Sequence, residues 1–341
     1  MTIKRKGVGG IRQHLLALGL CATVAGIQAA PAVVAPPATP ASERSITDWL
    51  TRMHAASRHH SYIGTFVVSS PAGALSTARI WHARDAARQV EKVESLTGAP
   101  RSTFRHNDEV VTFLPEQRAV RIERRESLGL FPAVFDTRRS SIPDFYRARL
   151  QGSERVAGFD ADVVHVAPRD VLRFGYRIWS EKKTGLVVKL QTLGAEGEVL
   201  EQSAFSELQL DPPLRADKLA RMMVPPDGWR VDRAETVRTT AADEGWALKA
   251  PIPGFEPMSC YRRRMASGSD GTMQWVFSDG LASVSLFVET YDRQRHTQEG
   301  VLSSGATQTL TRRIQDWWVT VVGEVPHQTL RAFAENLERR R

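Results

Sequence analysis

The chain of 341 residues has only two cysteines. Cys21 lies in an apolar N-terminal run, and Cys260 stands alone in the body of the chain. Once the leader is removed, a disulfide within one chain is excluded. Long apolar runs are also scarce. Past the N-terminus, none reaches the roughly 20 residues that a membrane-spanning helix needs. Catalytic signatures are missing too. The sequence has no G-x-S-x-G elbow, no C-x-x-C, no H-E-x-x-H and no phosphate-binding loop. His54, His59 and His60 cluster, but spacings of five and six do not share a helix face, and the helix is expected to end before His59. The residues therefore call for no metal and no cofactor.

Residues 1–29 read as a secretory signal: Lys4, Arg5, Lys6 and Arg12, then the apolar run from Leu15 to Ile27, then small residues at Ala29 and Ala30. Leu20 before Cys21 argues against a lipoprotein cleavage site. The formal net charge is +8, and removing the leader's four basic residues, with no acids, leaves +4. That mild charge argues against a nucleic-acid partner and permits attraction to anionic lipid or an acidic protein. A hydrophobic share of 42% with 25% charged residues suits a globular chain with a real core. The expected product is exported, in the periplasm.

Five stretches follow. Residues 30–44 are a Pro/Ala-rich spacer. Ser45 and Asp48 resemble a capping box, and Ile46, Trp49, Leu50 and Met53 recur at i, i+3, i+4, i+7, which predicts one amphipathic helix. From Tyr62 to Leu210 the period becomes two, and turn residues punctuate the strands. This predicts an antiparallel meander with the helix in its concave face, in a domain over 45–211. Residues 127–136 (SLGLFPAVFD) read as a short helix or lid at the sheet's mouth. Residues 212–227 read as a connector, and 228–341 as a smaller α+β domain. Its last helix is expected after Pro326, with Leu330, Phe333, Ala334 and Leu337 on one face. Arg339, Arg340 and Arg341 then sit at that helix's C-terminal end, where cations suit the dipole.

A meander rolled around one helix leaves either a plain core or a dry pocket for an apolar ligand. The residues placed to line such a pocket are Trp49, Met53, Phe66, Val68, Ile80, Phe113, Phe131, Ile178 and Trp179.

Several stretches together resemble the MucB/RseB family. In the first domain these are YIGTFVVS, STARIWHARD, QVEKVESLTGAPRSTFRHNDEVVTFLPEQ and GYRIWSEKKTGLVVKLQTLGAEGEVLEQSAF, with the Asp-Pro-Pro that follows. In the second they are WVFSDGLASVSLFVE and WWVTVVGEVPHQTLRAFAENL. The resemblance implies a large LolA-like domain, an unclosed antiparallel β-barrel with helices in its mouth, plus a smaller α+β C-terminal domain. It implies a non-enzymatic regulator that binds the periplasmic part of a membrane anti-sigma factor (RseA/MucA-like). That binding shields the factor from proteolysis and restrains a sigma-E-type (AlgU-like) sigma factor. Lipid or lipopolysaccharide is the implied releasing signal. A homo-oligomer is compatible with the sequence. The alternative is a periplasmic lipid or lipoprotein carrier, which needs only the first domain.

Residues 273–289 (MQWVFSDGLASVSLFVE) alternate apolar and polar residues around Asp279-Gly280, which predicts a hairpin with a two-residue loop, both residues at positive φ. It serves either as second-domain core or, through Trp275, Phe277, Leu286 and Val288, as a partner-docking face.

Overall fold

The computed structural model describes residues 44–85, 88–124, 141–233, 235–264 and 271–340. The leader, the spacer up to residue 43, the 127–136 segment with Phe131, and Arg341 lie outside the described residues.

Helix α1 spans Ile46–His59. Its capping box is formed: Asp48 N–H donates to Ser45 Oγ at 3.2 Å, and Ser45 N–H donates to Asp48 Oδ2 at 3.0 Å. The Ser45 hydroxyl, which also donates to Asp48 Oδ2 at 2.8 Å, and then the Ser45 N–H hold the Asp48 carboxyl below its usual range. The helix runs through His59, one residue past the expected end, and His60 in extended conformation stops it. Its apolar stripe, Ile46, Trp49, Leu50 and Met53, is buried. Each large side chain in that stripe contributes roughly 1.5–3 kcal/mol.

Six strands then run as an antiparallel meander: β1 (Tyr62–Ser69), β2 (Leu75–Arg84), β3 (Gln89–Ser95), β4 (Ser102–His106), β5 (Glu109–Leu114) and β6 (Ala119–Arg124). A short helix α2 (Ile142–Phe145) leads into β7 (Tyr146–Val156), β8 (Phe159–Pro168), β9 (Gly175–Glu181), β10 (Val187–Leu193) and β11 (Val199–Leu210). Strand β11 returns to pair with β1, so the two runs join at the centre of the sheet. The outer strands do not meet, and the barrel is unclosed. Against β7–β10, α1 and α2 fill the interior with Trp49, Leu50, Met53 and Ile142 packed on Tyr146, Val164, Tyr176 and Ile178.

The connector is built into this domain. Helix α3 (Ala216–Arg221) buries Ala216 and Leu219, and they cluster with Phe104, Val111, Phe113 and Val120. Strand β12 (Arg230–Arg233) then pairs in parallel with β6, so these residues extend the first sheet past the expected start of the second domain at 228.

The second sheet has the order β13 (Glu235–Arg238), β15 (Glu256–Arg264), β16 (Thr272–Ser278), β17 (Ser283–Thr290), β20 (Trp317–Gly323), β19 (Thr307–Ile314) and β18 (Gly300–Ser304). Helix α4 (His327–Asn336) packs Leu330, Phe333 and Ala334 into its core. The chain after α4 corrects an expectation. Leu337 is buried but starts a strand, β21 (Leu337–Arg339), which pairs with β14 (Trp246–Leu248). Arg339 therefore does not cap the helix. Its guanidinium lies over Trp246 and Trp317, 5.3 and 4.7 Å from the ring centres.

The hairpin is also different from expectation. Ser278 pairs with Ser283, so the loop has four residues, 279–282, and only Gly280 takes a positive φ, of 99°. The reason is the Asp279 carboxylate. Its Oδ1 accepts the N–H groups of Leu281 and Ala282 at 2.9 and 2.7 Å, which closes the loop from within.

Candidate functional site: the seam between the two domains

That same carboxylate is fully buried and reaches the first domain. Asp279 Oδ2 accepts Tyr146 Oη–H at 2.9 Å and Arg173 Nε–H at 2.7 Å. Arg173 comes from the loop between β8 and β9. Its Nη1 donates to Asp170 Oδ2 (2.5 Å) and its Nη2 to the Pro253 carbonyl (2.6 Å). The guanidinium plane lies over Phe145 and Phe255, 4.2 and 4.8 Å from the ring centres. Both charged side chains are wholly shielded from solvent. Burial and the adjacent Asp279 push the Tyr146 hydroxyl well above its usual range, so it stays a donor. Gly254 closes the seam at φ +77°. A Cβ there would meet Arg173 Nη2 and the Phe145 ring. The same loop is held from the other side, where Thr329 Oγ1 on α4 donates to the Leu172 carbonyl at 2.7 Å.

Two further ties join the domains. Arg263 donates to the buried Glu123 of β6 at 3.2 Å, beside the point where chain 230–238 passes from β6 to β15. Glu201 of β11 accepts the Ala306 N–H at 3.4 Å, and burial raises its carboxyl above the usual range.

The residues expected to line a lipid pocket do not form one wall. Trp49, Met53 and Ile178 share one cluster, Ile80 and Trp179 with half-buried Phe66 share a second, and Phe113 belongs to a third, with α3. Val68 is half-buried on β1. Ile178 and Trp179 are consecutive in a strand, so they point to opposite faces. A polar row also crosses the sheet. Tyr62, His82, Glu91 and Arg105 are direct cross-strand neighbours on β1 to β4. Tyr62 and His82 stack at 4.6 Å, and Arg105 donates to Glu91 at 3.2 Å. Burial pushes the Glu91 carboxyl up, but neighbouring His82 and Arg105 outweigh it and hold it below its ordinary value.

In the hairpin, Leu286 and Val288 are enclosed in the second core. Phe277 is buried in the same core with half-buried Trp275 packed against it, and both also line a cavity of about 630 Å³. Cys260 lines it as well, and burial raises its thiol to about 11. Among the described residues, no group of three or more His, Cys, Asp or Glu side chains is placed to hold a metal ion.

The seam itself left little trace in the sequence. Asp279 read as a turn residue, and Arg173 lies 106 positions away in the loop between β8 and β9. No local periodicity couples such a pair.

An unclosed antiparallel barrel plugged by a helix, bolted through a buried ion pair to a second sheet domain, defines a two-domain, mainly β protein. The chain belongs to the MucB/RseB family: the MucB/RseB N-terminal domain matches residues 45–223 and the MucB/RseB C-terminal domain matches residues 240–338. It is 31% identical to the sigma factor AlgU regulatory protein MucB of Pseudomonas aeruginosa, over 89% of this chain and 93% of that protein. It is 24% identical to the sigma-E factor regulatory protein RseB of Escherichia coli K12, over 88% and 92%. The crystal structure of MucB in complex with MucA(peri) is similar at a TM-score of 0.64 and 27% identity, covering 86% of this chain and 99% of that one. A second complex structure, of Pseudomonas aeruginosa MucA/MucB, is similar at 0.65 and 28%, with the same coverage.

Proposed function

We propose that this chain is a periplasmic regulator without catalytic activity of its own. It binds the periplasmic part of a membrane anti-sigma factor, protects it from proteolysis and so restrains an envelope stress response. The observation that carries this reading is the likeness to MucB across both domains in one order, including structures of MucB bound to MucA. The signal-like residues 1–29 support export. The domains are assigned as a carrier-type domain over 45–211, a connector over 212–227 that folds onto it, and a C-terminal domain over 228–341 whose leading strand β12 is lent to the first sheet.

Lipid or lipopolysaccharide acts as the releasing signal. Its place is the first domain's inner face, where Phe66 and Val68 are half-buried and the polar row ending in Arg105 offers charge beside apolar walls. A carrier of lipid or lipoprotein is the lesser reading, because it leaves the second domain and its buried tie to the first without a task.

Crosslinking in cells, followed by mass spectrometry, tests the assignment. One inner-membrane anti-sigma factor should dominate the product. A broad set of lipoproteins in its place favours the carrier.

A further inference from the structure

The second domain's core is covered unevenly. Helix α4 packs against β19 and β20. The neighbouring part of the sheet, on β15 and β16, is partly roofed by the segment between β13 and Phe255, and a cavity of about 630 Å³, open to solvent, lies between them. Its walls are Trp246, Phe255, Met258, Cys260, Trp275 and Phe277. Preformed apolar spaces ringed by aromatic side chains are where protein partners seat their large anchor residues. This volume is also greater than that of any single side chain.

What borders the cavity says what enters it. Strand β13 ends the sheet, so one of its backbone edges has no strand partner within that sheet. Val237 on that strand is exposed. Arg238, its last residue, is exposed, lines the cavity, and has no ion-pair partner among the described residues. An open edge, a cation at its end and an apolar hole beside that cation match an extended acidic peptide with a bulky apolar residue.

We propose that this cavity anchors an extended, acidic segment of the bound anti-sigma factor. The segment adds as a strand along β13. A carboxylate meets Arg238, and a large apolar side chain next to it fills the space against Trp275 and Phe277. The proposal rests on the regulator reading given above and assigns that regulator a docking site.

The test is a calorimetric titration of MucA(peri) into the full mature chain and three variants. Ala242→Trp plugs the cavity from an exposed lining position, Arg238→Glu reverses the charge at its mouth, and Trp275→Phe keeps an aromatic wall. The first two should each weaken binding about tenfold or more, while the third stays within about threefold. Near-ultraviolet circular dichroism checks that each variant is folded, and Arg238→Glu, on the surface, remains informative if the plug disturbs packing. Binding of both variants within twofold of the unaltered chain overturns the docking site while leaving the regulator reading intact. No binding by the unaltered chain removes both. If Ala242→Trp instead abolishes uptake of the fluorescent fatty acid cis-parinaric acid and spares MucA(peri), the cavity is an acyl-chain site and the proposal fails. Loss of a dimer in sedimentation, again with MucA(peri) binding unchanged, assigns the cavity to a second copy and overturns the proposal equally.

Discussion

Arg173 and Asp279 meet at 2.7 Å with both side chains sealed from solvent, and each comes from a different domain. A buried ion pair is costly to assemble because both groups lose their water. Here Tyr146, Asp170, the Pro253 carbonyl and two loop N–H groups add further hydrogen bonds that offset this cost. The pair therefore fixes how the domains meet. Deleting one member leaves an uncompensated buried charge.

Asp279→Ala should lower stability by about 3–5 kcal/mol. The double variant Arg173→Met with Asp279→Leu should recover much of that loss, because no lone charge remains. Urea unfolding of the two variants beside the unaltered chain measures it. A loss below about 1 kcal/mol for Asp279→Ala would mean that the seam holds without the pair.

Gly254→Ala should cost stability twice over. The φ of +77° strains a residue with a side chain by roughly 1–2 kcal/mol, and the new methyl meets Arg173 and Phe145. Gly73, also at positive φ but with open space around its Cβ position, is the control. Alanine there should show the backbone cost alone. Equal losses at the two sites would remove the steric part of the argument.

Two carboxyls should act with opposite sign as pH changes. Glu91 has a depressed folded value, so its stabilisation is present above the unfolded value and is lost as pH falls through the folded one. Glu201 has a raised folded value, so its contribution is complete below the unfolded value and is lost as pH rises through the folded one. Glu201→Gln should therefore raise Tm at neutral pH and change little in acid. Glu91→Gln should lower Tm at neutral pH, with the difference shrinking in acid. Thermal unfolding across the pH range reads both, and an identical pH trend for the two variants would contradict the assignment.

Cys260 should be chemically quiet. With its thiol raised to about 11, almost none is thiolate at neutral pH, and the side chain is buried. Iodoacetamide at pH 7.5 should label it only after unfolding. Cys260→Ser should keep partner affinity within about threefold, since one atom changes in a cavity whose other walls are mostly apolar. Rapid labelling of the folded protein would show that the Cys260 thiol is reached from the cavity and is not held quiet by burial.

Much of the fold was legible because periodicity reports it. The i, i+3, i+4, i+7 stripe of α1 and the period-two strands from Tyr62 to Leu210 each describe a local face that must be buried. The two-residue turn failed because Asp279 uses its side chain to close a longer loop. The arginine run after α4 failed because β14, roughly 90 residues earlier, draws Leu337–Arg339 into a strand. Residues 212–227 read only as a connector, yet Ala216 and Leu219 pack on the first sheet. Except at the turn, where Asp279 bonds its own loop, the deciding partner is distant in the chain, and single-sequence patterns carry no record of it. The cavity beside Trp275 was hidden for the same reason, since its roof and walls come from separate stretches.

The central claim is that this chain holds an anti-sigma factor's periplasmic segment and that lipid loosens that hold. The direct measurement is calorimetry of MucA(peri) binding with and without lipopolysaccharide, and of lipopolysaccharide binding with and without MucA(peri). Linkage requires each ligand to weaken the other by the same factor. The expected result is saturable MucA(peri) binding with one mutual factor in both directions. Binding of MucA(peri) that lipopolysaccharide leaves unchanged would contradict the release mechanism, and absence of MucA(peri) binding would contradict the account as a whole.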